Sequence, residues 1–492
     1  MVWQGNYTKL FIGGQWVDPA SDDKISVISP FTEEVIAQVP SGTKADVDRA
    51  VSAARKAFDF GPWPRASIAK RMEVLRKLSA LLTEKRDEIA GLVTDEMGCP
   101  ITLSMGMQAT GPRLLVDNFL ELAPQYPWST VRRCSTGNGL VLREPVGVVA
   151  AVVPWNAPLL VTMIKLAPAL LAGCTIILKP SPETPLDSYL LAEMLQGVGL
   201  PDGVVNIVPA DREVSEYLVT HRDVDKVTFT GSTAAGRRIG SLCGHDLRRV
   251  TLELGGKSAA LIFDDADLGA AVESLKIGSL RNTGQVCSNK TRIVVSRKRR
   301  SEFIDRFTNM VASLAVGDPR DPATQQGPLV SARQRDRVEG YLEIGRKEGA
   351  KVATGGGRPA GLNRGWFVQP TVFTDVEPSM RIAQEEIFGP VIAVLTSDSE
   401  EEAVAIANSS DYGLNGSLFT ADVERGLELA RKIRTGTVEL NGNPVGFHSP
   451  IGGWKASGIG REAGLEGFDA YVELKTIGLS AAFADALEHR AN

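Results

Sequence analysis

Two kinds of hydrophobic pattern alternate along this chain. Residues 44–58 (KADVDRAVSAARKAF) set apolar side chains three and four apart among mixed charges, and residues 67–90 do the same. That spacing predicts a helix in each segment, with GPWPR (61–65) as punctuation between them. From about residue 146 the chain turns to short, wholly apolar runs. VGVVAAVV (146–153), CTIILK (174–179), VVNIV (204–208), VDKVTFT (224–230) and VTLEL (250–254) read as buried strands. Helices are predicted over about 159–171, over 186–198 with Gly199 and Pro201 as its stop, and from near Ser232. Strands alternating with helices make βαβ units and a parallel sheet, so the class is α/β. In such sheets ligands sit beyond the carboxyl ends of the strands.

A second α/β region is predicted to begin near residue 258. It has strands at SAALIF (258–263) and TRIVVS (291–296) and helices over 267–281 and about 300–315. Pro and Gly cluster in 317–328 and 355–365, which read as surface loops. Residues 127–143 read as a hairpin turning at Gly137-Asn138-Gly139. It lies outside the βαβ rhythm and is expected to project outward. There is no internal repeat.

Composition narrows the function. The 492 residues suggest several domains. Lys plus Arg is 54 and Asp plus Glu is 59, a net charge of −5, which excludes the broad positive field of a nucleic-acid binder. Val146 to Leu178 is apolar overall, but Pro154, Asn156, Pro158, Lys165, Pro168 and Gly173 break it. No run reaches the ~20 residues a membrane span needs. The five cysteines (Cys99, Cys134, Cys174, Cys243, Cys287) form no CxxC, and the four histidines form no HExxH. Neither a disulfide framework nor a bound metal is expected. With no basic and apolar leader at the N-terminus, a reducing, cytoplasmic setting is the expectation.

Several residues could carry chemistry. Cys287 in RNTGQVCSNKTR sits on a turn between a predicted helix and strand, where a thiolate of lowered pKa is a good nucleophile; a small buried hydrophobe is the plainer reading. Cys174, leading an apolar strand, is the clearest core cysteine. Glu253 is a carboxylate in an apolar strand beside two glycines, a general-base candidate if its pKa is raised. Thr230-Gly231-Ser232-Thr233-Ala234-Ala235-Gly236 joins a strand to a helix, which suits a pyrophosphate or simply an N-cap. Lys179 closes another strand within reach of a ribose or phosphate. Asn156, on the turn after Pro154 and Trp155, could donate to a developing oxyanion or merely close its own turn.

Together these segments resemble the aldehyde dehydrogenase superfamily. The matching stretches are VVPWNAP (152–158), ILKPS (177–181), FTGSTAAG (229–236), LELGGKS (252–258), GQVCSNKTR (284–292), QEEIFGPV (384–391), YGLNGSLFT (412–420) and GGWKASGIGRE (452–462). They follow the family's order across nearly the whole chain. The resemblance implies an NAD(P)-dependent, hydrolytic enzyme that forms a free acid, because coenzyme-A-dependent members typically lack a glutamate at Glu253. It implies Cys287 as nucleophile, forming a thiohemiacetal and then a thioester. Asn156 and the Cys287 N–H would form the oxyanion site, and Glu253 would be the water-activating base. Lys179 would hold the adenosine ribose, Ser232 and Trp155 the pyrophosphate, and Glu386 the nicotinamide ribose, with Phe388 packing nearby. Val153, Pro154, Ser181, Gly231, Leu254 and Gly255 line the same implied cofactor path, which reaches Glu253 and Cys287.

The implied architecture is a Rossmann-type parallel-sheet cofactor domain (1–126 and 144–256), an α/β catalytic domain (257–450) and oligomerisation segments (127–143 and 470–492). A homodimer or homotetramer is implied, with a small aldehyde as the partner molecule.

The chain departs from the family pattern in three places. Many NAD-preferring members carry a glutamate three residues after the cofactor lysine; here that position is Pro182, and Glu183 follows it. NAD is expected, with NADP left open. The glycine-rich turn expected after 206–209 reads Ala210-Asp211-Arg212-Glu213 instead, and Arg212 is either an exposed helix start or a partner for a 2′-phosphate. The usual PFGG becomes Pro450-Ile451-Gly452-Gly453. Leu160, Val161 and Ile164, taken as the tunnel wall, favour a medium-sized apolar aldehyde. Arg281, six residues before Cys287, matches a carboxylate-binding arginine of succinic semialdehyde dehydrogenases, so a semialdehyde acid is the second reading. A catalytically silent binding or structural protein of the same fold is the alternative of another class; the presence of both Cys287 and Glu253 argues against it.

Overall fold

The computed structural model describes residues 5–491. Its first large sheet has eight strands, in the order Gly458–Ile459, Arg249–Glu253, Lys226–Thr230, Val148–Val152, Thr175–Lys179, Val205–Ile207, Leu10–Ile12 and Gln15–Val17. The five strands from Arg249–Glu253 to Val205–Ile207 are mutually parallel. Their apolar runs are continuous because helices cover both faces. Register brings their carboxyl ends level. Lys179 lies opposite Val152, Val152 opposite Phe229, and Thr230 opposite Glu253. Residues far apart in sequence therefore meet along one edge.

The second large sheet has seven strands, in the order Lys351–Thr354, Thr371–Thr374, Val391–Ser397, Arg292–Ser296, Ala259–Ile262, Asn415–Phe419 and Thr437–Leu440. All its pairs are parallel except the first. A third sheet places Gly137–Pro145 between Ser129–Cys134 and Val472–Leu479. The out-of-rhythm hairpin and the tail thus do form one sheet.

Four expectations change. The predicted 67–90 helix is two helices, Ile68–Glu84 and Arg86–Met97, broken at Lys85, whose ψ of 12° leaves the helical region. The hairpin turns at Ser135-Thr136, since Cys134 pairs with Gly137. The glycines are strand residues; Gly139 pairs with both Arg132 and Gly478. The 317–328 segment is a surface loop only in its first part. Thr324 and Gln326 are buried, and Gln326 Nε2 donates to the Leu280 carbonyl at 3.1 Å. The N-terminal strands and those after residue 296 were not expected.

The helix Pro158–Ala172 sets the position of the turn that carries Asn156. Pro158 at its first position is pre-set for a helix start. Its C-terminus ends at Gly173, at φ +96°, and is tied down by Arg71. That buried guanidinium donates to the carbonyls of Pro64 at 2.7 Å, Leu171 at 3.0 Å and Ala172 at 3.1 Å. A Cβ on Gly173 would stand 2.5 Å from Arg71 Nη2, so space and φ both require glycine. Among the described residues no helix is long and apolar enough to cross a membrane. Arg71→Met keeps the bulk but orphans buried carbonyls. It is expected to lower stability by roughly 3 kcal/mol, read as a lower urea midpoint without loss of helical circular dichroism in native buffer.

Candidate active site

Two cavities meet beyond the carboxyl ends of the parallel strands. One, of about 610 Å³, is lined by Lys179, Ser181, Glu183 and Arg212 together with Val153, Trp155 and Ser232. The other, of about 500 Å³, is lined by Asn156, Cys287, Glu386 and Phe388 together with Leu254 and Gly255. Pro154, Trp155, Gly231 and Ser232 belong to both, so the two form one continuous groove. Every residue expected along the cofactor path, Glu253 apart, lines it.

The groove is built for a long anionic ligand. The helix Thr233–His245 starts there, with Ser232 as N-cap accepting from the Ala235 N–H at 3.3 Å. Its free N–H groups face the groove. The N-cap reading and the anion reading of Ser232 are therefore compatible. Lys179 is buried, and burial draws its ammonium down to about 8, with Glu183 opposing. Gly255 lets the backbone pass Glu386; a Cβ there would stand 2.2 Å from Oε2. Glu386 Oε1 accepts the Gly256 N–H at 2.9 Å. Burial pushes the Glu386 carboxyl up to about 7, against that hydrogen bond and the nearby Arg337 and Lys257. The Trp155 and Phe388 rings meet edge to face at 5.3 Å as one wall.

Cys287 follows a tight turn. Asn282, Thr283 and Gly284 all have positive φ, at 56°, 54° and 74°, and Gly284 approaches so near Gly389 that a Cβ would lie 2.1 Å from its carbonyl oxygen. Such strain marks sites the surroundings over-determine. Asn156 locks this turn to the strand end. Its Nδ2 donates to the Gln285 carbonyl at 2.9 Å. Its own carbonyl accepts from Gln108 Nε2 at 3.0 Å and Asn282 Nδ2 at 3.1 Å. One Asn156 N–H is thereby held, and the other is left for the cavity.

The thiol departs from expectation. Enclosure pushes Cys287 up to about 12, and the Glu386 and Glu253 charges add to this while Arg281 opposes it. Burial and the two carboxyls outweigh the Arg281 guanidinium, so the protonated thiol is favoured without ligand. Glu253 is buried with Oε1 unpartnered. It does not line the Cys287 cavity; Oε1 leans toward Gly452, where a Cβ would stand 2.7 Å away. Burial first, then the neighbouring Glu462, raises its pKa well above the carboxylate range, with Lys165 and Arg461 opposing. Glu462 is itself paired with buried Lys165.

The expected substrate residues lie elsewhere. Leu160, Val161 and Arg281 are half-buried and Ile164 is buried in the core; none lines either cavity. Arg281 reaches Ser288 Oγ at 3.5 Å and leaves Nε unpartnered. Arg212 is the exposed first residue of a helix capped by Asp211.

Sequence reasoning missed Gln108, Arg333, Gln334 and Arg337. Gln108 lies in a π-helical turn, Ser104–Thr110, a distortion frequent at functional sites. Gln334 Nε2 donates to the Phe388 carbonyl at 2.7 Å and holds that residue at φ +63°. The charge-dense run RQRDRVEGY (333–341) was the available signal.

The sequence profile of the aldehyde dehydrogenase family matches residues 16–477. Geranial dehydrogenase of Castellaniella defragrans is 44% identical over 473 residues, covering 96% of this chain and 98% of that protein. A crystal structure of a Mycobacterium tuberculosis aldehyde dehydrogenase complexed with NAD⁺ superposes with a TM-score of 0.96 at 48% identity, covering 97% of this chain and 99% of the other. An aldehyde dehydrogenase C variant from Pseudomonas syringae, complexed with NAD⁺ and octanal, gives a TM-score of 0.93 at 40% identity over 96% of each chain. This chain belongs to the aldehyde dehydrogenase family and is an aldehyde-oxidising enzyme.

With a thiol pKa of about 12, only roughly one Cys287 in 10⁵ is a thiolate at pH 7. Alkylation of Cys287 by iodoacetamide in the ligand-free protein is expected to be slow at pH 7 and to rise about tenfold per pH unit through pH 9. A plateau below pH 8, followed by mass spectrometry of the Cys287 peptide, would contradict this.

Proposed function

We propose that this enzyme oxidises a medium-sized apolar aldehyde to its carboxylic acid with NAD⁺, using Cys287 as nucleophile. The observation that carries this is the junction of Cys287 and Asn156 in one cavity that opens into a groove suited to a dinucleotide. Lys179 and Ser181 would hold the adenosine ribose, Ser232 and Trp155 the pyrophosphate, and Glu386 the nicotinamide ribose, with Val153, Pro154, Gly231, Leu254 and Gly255 as walls. When bound, the dinucleotide supplies a hydride acceptor.

Cys287 Sγ, on losing its proton, adds to the aldehyde carbon. The oxyanion that forms takes hydrogen bonds from the free Asn156 N–H and from the Cys287 backbone N–H. Loss of hydride from the thiohemiacetal leaves a thioester on Sγ. Glu253 then takes a proton from water as the water oxygen adds to the thioester carbon, and expulsion of the thiolate releases the acid. The raised pKa of Glu253 suits it to hold that proton. Since its carboxyl leans toward Gly452, a side-chain rotation brings it to the thioester.

Apolar substrates are favoured by the apolar side chains of the Cys287 cavity, Trp155, Leu254 and Phe388. Two of the relatives point the same way, one named for geranial and one complexed with octanal. One observation supports the second reading, a semialdehyde acid. Arg281 is half-buried near Cys287 with its Nε buried and unpartnered, and a substrate carboxylate would satisfy it. The cofactor reading favours NAD over NADP because the Glu183 carboxylate, although one position late, reaches the Lys179 cavity, where Ser181 Oγ donates to it at 2.5 Å. A negative charge there opposes a 2′-phosphate.

We assign residues 1–126 and 144–256 to cofactor binding and 257–450 to catalysis. Assembly into a homodimer or homotetramer would use the three-stranded sheet, on which Leu474 and Ile477 are exposed. The five thiols are all free, as a cytoplasmic setting requires.

Dinucleotide reduction with hexanal, geranial and succinic semialdehyde tests the substrate. Turnover of the apolar aldehydes, reduced at least 10³-fold in Cys287→Ala, is expected; exclusive use of the semialdehyde would transfer the assignment to Arg281. Glu253→Gln is expected to retain a burst of NADH and lose steady turnover by more than about 10²-fold. Glu183→Ala is expected to raise the ratio of NADP⁺ to NAD⁺ use about tenfold, compared as kcat/KM. Glu386 ionises as pH rises through about 7, so NAD⁺ affinity should strengthen from pH 6 to 8, and Glu386→Gln should flatten that dependence in titration calorimetry.

A further inference from the structure

Six residues line both cavities of the groove: Pro154, Trp155, Thr230, Gly231, Ser232 and Arg333. Five come from the strand ends of the eight-stranded sheet. Arg333 comes from the opposite wall, on the helix Ala332–Lys347, and it alone of the six is charged. It therefore stands across the groove from the N-terminus of the helix Thr233–His245, the point where an anion is favoured.

The position of Arg333 asks for an anion. It occupies the first turn of its own helix, behind the N-cap Ser331, and that turn has no acidic residue. A cation there opposes the helix dipole. In this structure the opposition is relieved by Glu183. Arg333 Nη2 donates to Glu183 Oε1 at 3.0 Å, and the pair spans the groove from one wall to the other. The Arg333 side chain is 84% exposed and that of Glu183 23% exposed. Exposed pairs of this kind hold weakly, so the bridge opens readily. The nearby Arg337 is not available for the same task, since its guanidinium is engaged with the Glu386 and Ile387 carbonyls.

We propose that Arg333 is a clamp on the diphosphate of the bound dinucleotide, kept poised over the groove by Glu183 until the ligand arrives. This rests on the cofactor reading above. Binding exchanges one anion for another. Arg333 leaves the Glu183 carboxylate for the phosphate oxygens, which a guanidinium can meet with two parallel hydrogen bonds. Glu183 keeps its bond from Ser181 and regains Oε1 as an acceptor for a ribose hydroxyl. The clamp thus couples recognition of the diphosphate to the freeing of the group that reads the ribose. Because it closes over a ligand already seated, its main effect is on release.

The test uses the full-length protein with NADH, ADP-ribose and adenosine. Affinity is read by fluorescence and calorimetry, and NADH release by stopped-flow chase. Arg333→Ala is expected to weaken NADH and ADP-ribose about 5- to 20-fold, chiefly through faster release. Adenosine, which has no phosphate, should bind as before. Arg333→Lys should recover part of the loss, and the salt dependence of NADH binding should be shallower in Arg333→Ala. An unchanged melting temperature controls for folding. A change below twofold for NADH overturns the clamp, as does an equal loss for adenosine and ADP-ribose. A wild-type protein that binds neither NADH nor ADP-ribose overturns the cofactor reading itself, a result distinct from either.

Discussion

Burial of ionisable groups in one wall sets the terms for this site. Glu253 is buried and Cys287 and Glu386 are half-buried in the cavity wall, and removal from water favours the neutral form of each. The cost of holding them there is met by close supports. Glu386 takes a backbone N–H, Glu253 lies beside the Lys165–Glu462 pair, and Arg281 faces the thiol. A site arranged this way is quiet when empty. Any cation brought near the sulfur stabilises the thiolate, so the state of the Cys287 thiol is tied to occupancy of the groove.

Geometry is fixed by a second constraint, the tie between Asn156 and the turn before Cys287. The two belong to different sheets, and the hydrogen bond to the Gln285 carbonyl crosses from one to the other. Gln108 and Asn282 complete it from two further elements. Arg71, at the far end of the helix Pro158–Ala172, anchors the same unit from behind. Asn156 is thus held by parts of the chain that are far apart in sequence.

Much of this was legible in the sequence, and the failures have physical causes. The five parallel strands announced themselves as continuous apolar runs because both their faces are covered. The later strand Val391–Ser397 is equally apolar, but without a clear alternation with helices it gave no rhythm to read. The hairpin turn was misplaced because Gly137 and Gly139 look like turn residues, whereas both are paired strand positions. Cys287, Glu253 and Asn156 were singled out through motifs. The state of the thiol was not, since it depends on which charges the fold brings near. Arg333 and Gln108 were missed because an arginine in a charged helix and a glutamine in an apolar one carry no local sign of what they face.

The middle strand of the small sheet, Gly137–Pro145, pairs on one side with its hairpin partner and on the other with Val472–Leu479. Lys165 likewise waits for Glu462, and the edge strand Arg249–Glu253 for Gly458–Ile459. During synthesis the ribosome therefore delivers the partners of these early segments long after the segments themselves. Until then the nascent chain carries an unpaired strand edge and a buried-to-be lysine with no counter-charge. Protein made to about residue 450 has Cys287, its glycine turns and its groove walls, yet lacks the backing for Glu253. Support for Glu253 and protection from edge-to-edge association should arrive together, with the strands Gly458–Ile459 and Val472–Leu479.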